Sequence, residues 1–163
     1  MKAISLWEPW ASLIRTGAKT IETRSWSTHY RGELLICAAK GGLPRCEVQD
    51  YLSLRGFQDG LFPLLGQNAL PVEAGRQQVT VDHLLFGKAV AIVELVDCRP
   101  TVDLSDDEIG NDRPFGDFTP GRFAWFLKMV RNDFKPFHIT GSQGFFEIGD
   151  AWIFQHMPDV VGR

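Results

Sequence analysis

Trp7-Glu8-Pro9-Trp10-Ala11-Ser12-Leu13-Ile14-Arg15-Thr16-Gly17-Ala18-Lys19-Thr20-Ile21-Glu22-Thr23-Arg24-Ser25-Trp26 is the stretch that decides the fold, and it runs on through Ser27 and His29 to Tyr30-Arg31. Pro9 suits the first turn of a helix, where its missing N–H costs nothing, and Trp10, Leu13 and Ile14 recur at i, i+3 and i+4 as one apolar stripe. Gly17 supplies the stop. From Thr20 the period becomes two: Thr20, Glu22, Arg24 and Trp26 share one face of a strand, and Ile21, Thr23 and Ser25 share the other. Lys19 stands at the turn, and the polar face after it is too densely charged to be edge decoration.

Working outward, Ala3-Ile4-Ser5-Leu6-Trp7 reads as a first strand feeding this helix. Tyr30-Arg31-Gly32 makes a turn, Glu33 to Ala39 is an apolar run suited to a buried strand, and Lys40-Gly41-Gly42 ends it. Pro44 opens a second helix, with Val48, Tyr51, Leu52 and Arg55 on one side and Gly56 as its stop. Residues 57–78, broken by Gly60, Pro63, Gly66, Pro71 and Gly75, read as a loop or insertion. Val81 to Phe86 has room for a helical turn.

Lys88 to Cys98 is the clearest strand, and Val90, Ile92, Glu94, Val96 and Cys98 share a face. Glu94 is the one ionisable group on that stripe, so it must be paired or hydrogen-bonded, or have its pKa raised. Two readings stay open: a site acid or base, or an internal ion pair with Lys19 or Arg24. Asp103 to Asp117 reads as a solvated acidic loop with at most a helical turn. Pro120-Gly121 fits a type II turn, after which Phe123, Trp125, Leu127 and Met129 alternate as a strand with one aromatic face. Residues 134–141 are irregular, 144–148 form a short last strand, and no internal repeat or linker interrupts the chain.

The 163 residues, 44% apolar and 23% charged, suit one domain spanning 1–163. Met1 to Ser5 has no long apolar region and no run is long enough to span a bilayer, so the expectation is a cytoplasmic chain with no membrane partner. Cys37, Cys46 and Cys98 are odd in number and widely spaced, and His29, His83, His138 and His156 form no pair, which argues against a disulfide framework and predicts no metal and no cofactor. The net charge is −3, unevenly spread. Residues 1–58 carry eight Lys+Arg against five Asp+Glu, residues 59–121 four against eleven, and residues 122–163 five against four. A basic cleft built from the two ends is compatible with an acidic chain, because phosphate binding follows local potential.

Several short strands, two short helices and many glycine turns point to an α+β architecture built on a small barrel or curled mixed sheet. Gly17-x-Lys19-x-x-Glu22-x-Arg24 resembles the signature of the ASCH domain family. Trp7-x-Pro9-Trp10-Ala11-Ser12-Leu13 and Glu22-x-Arg24-Ser25-Trp26 are similar to the version carried by the eukaryotic transcription coactivator that gave the family its name. The likeness extends to Tyr30-Arg31-Gly32, Val93 to Cys98 and Pro120 to Trp125. It implies a PUA-like, mixed or antiparallel β-barrel flanked by short helices, with a cleft beside the first helix lined by Lys19, Glu22 and Arg24.

Chemistry agrees with that expectation. Lys19 and Arg24 suit phosphate, and Trp7, Trp10 and Trp26 suit stacking on exposed bases, although core packing is the commoner fate of any one tryptophan. Arg31 and Arg122, with Arg15, Lys40 and Lys128, would extend the positive wall. The reading expected first is therefore a module for RNA, DNA or a nucleoside. The second is a hydrolase, since one branch of the family resembles small amidohydrolases of acylated cytidine that use a lysine, a threonine three residues later and a glutamate on a later strand. Lys19 and Glu94 match, but Glu22 occupies the threonine position. An acyl-enzyme route therefore does not carry over, and water-mediated hydrolysis or ribonuclease chemistry through Lys19, Glu22 and Glu94 is what remains. The third is a protein-interaction module using the acidic segment or residues 57–78.

Overall fold

The computed structural model describes residues 1–66 and 77–157, so the part of the expected 57–78 loop over 67–76 lies outside the described residues, as does the tail from 158. The elements are β1 (Lys2–Leu6), α1 (Trp10–Thr16), β2 (Ile21–Arg24), β3 (Gly32–Ala38), α2 (Arg45–Leu52), α3 (Arg55–Leu61), β4 (Lys88–Pro100), α4 (Asp106–Ile109), β5 (Phe123–Arg131), β6 (Phe137–His138), β7 (Phe145–Glu147) and α5 (Asp150–His156). Six strands pair in the order β2-β5-β4-β3-β1-β7, and β6 pairs with the start of β4. Among the described residues only β1 and β3 run parallel; α1 and β2 lie in the connection between them. The sheet curls into a half-barrel, the α+β fold expected. Trp26, just past β2, meets Phe145 of β7 edge to face at 5.4 Å, so the two edge strands approach across the mouth.

Both faces of the sheet are covered. On one, Ile4, Leu6, Leu34, Ile36, Val93, Leu95, Trp125 and Leu127 pack with Ala11 and Ile14 of α1. On the other, Ala3, Leu35, Cys37 and Ile92 pack beneath Ile153 and Met157 from the C-terminal α5 region. A third cluster joins Leu13 of α1 to Val48 and Leu52 of α2 and to Phe57 and Leu61 of α3. α1 is therefore the keystone between sheet and helices, and it stops as expected at Gly17, whose φ of 81° is left-handed and whose N–H bonds the Ile14 carbonyl. Burial pushes the Cys37 thiol up to about 12, whereas Cys46 is exposed, and all three cysteines are free.

Two expectations change here. Residues 55–61 form α3, and residues 62–65 continue as a 3₁₀ turn, although Gly56 and Gly60 hide the Phe57-to-Leu61 spacing that carries the buried face. The assigned face of β4 holds only in part. Pairing with β3 shifts register between Ile36 and Cys37, which leaves Val90 as the extra residue, so Val90 joins Val93 and Leu95 in the first core while Ile92 packs in the second and Val96, extra in the pairing with β5, is 44% exposed. Glu94 is turned to the outer side, opposite Glu33 on β3 and Lys128 on β5.

Candidate functional site

Leaving α1, the chain turns so that the Lys19 amide bonds the Leu13 carbonyl and its side chain runs inward. The ammonium is buried, donating to the Ile21 carbonyl at 2.6 Å and the Phe115 carbonyl at 2.8 Å, and lies 3.4 Å from Glu22 Oε2. Two of its three donors are thus spent on backbone carbonyls, and Glu22 lies beside it as counter-charge. The expectation that Lys19 reaches into the cleft is corrected: it stands behind the wall and holds Glu22 in place.

Glu22 and Arg24 emerge on the same face of β2, as their spacing predicts. Glu22 Oε1 is 3.6 Å from Arg24 Nη1, and the Arg24 guanidinium lies 5.7 Å from the centroid of the Trp26 ring. The series Lys19, Glu22, Arg24 therefore passes from fully buried to partly exposed, and Trp26 beyond it is half-buried. Trp26 itself is braced edge-on by Trp125 at 4.6 Å, and its carbonyl accepts from Trp125 Nε1.

The opposite wall comes from the acidic segment, which is more ordered than a solvated loop. Ser105 and Glu108 form a reciprocal capping box that starts α4. Asp112 is buried, and its carboxylate accepts from the Thr20 and Ile21 amides and the Thr20 hydroxyl. This clamp aligns β2 with 110–117 and places the Phe115 carbonyl against Lys19. Beyond it, the Asp117 amide bonds Thr23 Oγ1, and Arg122 bonds the Thr23 carbonyl while lying 3.4 Å from Asp117. Hydrogen bonds from the Thr119 hydroxyl and amide hold the Asp117 carboxyl below its usual range.

Between these walls lies an open cleft of about 1760 Å³. Trp7, Trp10, Glu22, Arg24, Trp26 and Arg122 line it. Trp7 is 53% exposed, and its ring sits so close to Gly42 that an added Cβ would fall 2.7 Å from it, so glycine there leaves one ring face backed and the other open. Trp10 is committed to Tyr51 at 4.9 Å and Phe57 at 6.4 Å, so core packing claims most of it.

Four expected members are elsewhere. Glu94 is not brought to the cleft: it lies on the Ile92 side of β4, away from Val93 and Leu95 and opposite Glu33 and Lys128, so Lys19, Glu22 and Glu94 do not converge. Arg31 pairs with Asp97 at 3.1 Å on the rim of β3 and β4. Of the proposed extensions of the positive wall, Lys40 lines the cleft, whereas Arg15 donates to the Val90 and Phe134 carbonyls and Lys128 faces Glu94.

Other contributors escaped the sequence reading. Residues 140–144, Thr-Gly-Ser-Gln-Gly, line the far end, where a Cβ on Gly141 would collide with Ser5 Oγ. Glu8 is buried and accepts from Ser12 N at 3.0 Å, Ser12 Oγ at 2.7 Å and Leu85 N at 2.8 Å, tying the segment before Phe86 to the start of α1. The Glu8-to-Ser12 spacing across a helix start was the available signal. Around the cleft, Arg24, Lys40 and Arg122 face Glu22, Asp117 and Glu147, a balanced set that favours specific contacts over bulk positive potential. Among the described residues no group of three or more metal-ligating side chains clusters, and no helix is long and apolar enough to cross a membrane.

Comparison with known proteins follows the same lines. Over 65 residues, 37% of this chain, the sequence is 46% identical to Activating signal cointegrator 1 of Homo sapiens. The match spans 11% of that protein's length. The ASCH domain model matches residues 4–132, from within β1 through the end of β5, and takes in the β2 and 114–117 walls of the cleft. The chain belongs to the ASCH domain family.

Proposed function

We propose that this protein is a nucleic-acid-binding module that takes a single-stranded segment, RNA in the first instance, into the cleft beside α1. The observation that carries the reading is an open cleft of about 1760 Å³ with an outward-facing Trp7 at one side and the Arg24–Trp26 pair at another. That volume exceeds the roughly 300–1,000 Å³ usual for small-molecule pockets and suits an extended ligand. Exposed indole and guanidinium planes are the surfaces on which unpaired bases stack, and Arg24, Lys40 and Arg122 are within the same cleft for phosphates.

Tryptophan fluorescence titrated with a single-stranded ribo-oligonucleotide tests this. Binding is expected, and Trp7→Ala should weaken it by about 5- to 100-fold, the worth of one stacked base. With three cations facing the ligand, log K should fall against log salt with a slope no steeper than about −2. An oligonucleotide that leaves the fluorescence unchanged at low salt, with no binding in a parallel anisotropy titration, would overturn the reading.

A further inference from the structure

We propose that Glu22 is a base-reading residue that selects guanine, an inference that rests on the nucleic-acid reading of the cleft. The motive is an acceptor with unused capacity. Glu22 lines the cleft with its side chain 13% exposed, and among the described residues neither carboxylate oxygen accepts a hydrogen bond. Its two cationic neighbours lie at 3.4 Å and 3.6 Å, outside the usual 2.7–3.2 Å for such bonds, so they orient the carboxylate and leave its lone pairs open.

Orientation comes from behind. Lys19 is fixed by two backbone carbonyls, one of them on Phe115, and Asp112 locks the strand entry, so Glu22 is presented on a rigid wall and not on a loop. Beside it, the Arg24 guanidinium over Trp26 offers a plane for a base to stack against.

A carboxylate only accepts, so it prefers the base edge that presents adjacent donors. Guanine does so with N1–H and N2–H₂, spaced to meet both oxygens. Adenine and cytosine each place a ring-nitrogen acceptor next to their amino group, and uracil flanks its single N–H with two carbonyls. Each of these sets an acceptor against the second carboxylate oxygen, which costs a bond and adds repulsion.

The test uses uridine pentamers with a central guest nucleotide: guanosine, inosine, adenosine, cytidine or uridine. Guanosine should bind about tenfold tighter than uridine, within the range of one bidentate base contact. Inosine keeps N1–H and lacks the N2 amino group, so it should lose most of that gain in the unmodified protein. Glu22→Gln should bring the guanosine-to-uridine ratio to within about twofold, since one acceptor becomes a donor. Pentamers that bind equally well whatever the guest, or guanosine and inosine that bind alike, overturn the assignment while leaving the cleft's nucleic-acid reading intact. Pentamers that do not bind at all overturn that reading and this one with it. If Glu22→Gln does not fold, the guanosine-to-inosine comparison in the unmodified protein still decides.

Discussion

Replacing Lys19 with alanine lowers the unfolding free energy by about 3–5 kcal/mol, the cost of removing one partner from a buried ion pair. The ammonium is buried, and its loss leaves the Ile21 and Phe115 carbonyls without their donor and Glu22 without its inner counter-charge. Urea unfolding followed by circular dichroism measures the change. The same variant separates two roles for the residue. As a phosphate contact, Lys19 would contribute about 0.7 to the salt slope of single-strand binding. As the positioning group seen here, it contributes nothing, and Lys19→Ala should leave the slope unchanged in the folded fraction while Arg24→Ala reduces it. Unaltered stability with a reduced slope would mean that the lysine faces the ligand after all.

Glu8→Ala is the second large effect, at about 4 kcal/mol. It strips the acceptors from two backbone amides, Ser12 and Leu85, at roughly 1–3 kcal/mol for each buried orphan, and leaves a void at the head of α1. Its pH behaviour has a definite sign. Desolvation raises the Glu8 pKa above the ordinary 4.5, against the opposing bonds from Ser12 and Leu85. Between 4.5 and that raised value the folded state holds more protons than the unfolded one, so stability relative to Glu8→Gln falls as pH climbs through the window and levels off above it. Paired urea titrations of the two proteins from pH 4 upward check this. A relative stability that rises over that interval would contradict it.

The legible parts of this chain were those governed by local periodicity and turn chemistry. The stripe of Trp10, Leu13 and Ile14, the glycine stop, and the shared face of Glu22, Arg24 and Trp26 depend only on helix and strand repeats, and they stand in the fold as read. Long-range register was not legible. Glu94 shares a side with Ile92 as the alternation predicts, but that side is covered over Ile92 and leaves Glu94 opposite Glu33 and Lys128, pairings that nothing near Glu94 in the sequence announces. Lys19 was misplaced for a related reason. Its inward turn is dictated by the carbonyl of Phe115, 96 positions away. Asp112 was hidden among exposed acids, because the Thr20 and Ile21 amides its carboxylate accepts from lie 92 and 91 positions away. α3 was obscured by glycines at 56 and 60, whose low helix propensity is outweighed by the burial of Phe57 and Leu61 against α1 and α2.

The site that results differs from a simple basic groove. Lys19 and Asp112 do their work behind the wall, and the cleft itself presents three carboxylates, three paired or rim-standing cations and an open indole. Selectivity by hydrogen bonding and stacking fits such a surface better than indiscriminate attraction to phosphate.

Amide chemical-shift mapping of the ¹⁵N-labelled protein with a single-stranded ribopentamer tests the central claim most directly. The account predicts perturbations confined to the cleft, at Trp7, at 22–26, at 38–41, at 114–117 and at 138–144, with the Trp7 indole N–H among the largest. Shifts centred instead on the outer side of β4 and β5, around Glu94, Val96 and Lys128, would contradict it, as would a spectrum left unchanged at saturating oligonucleotide.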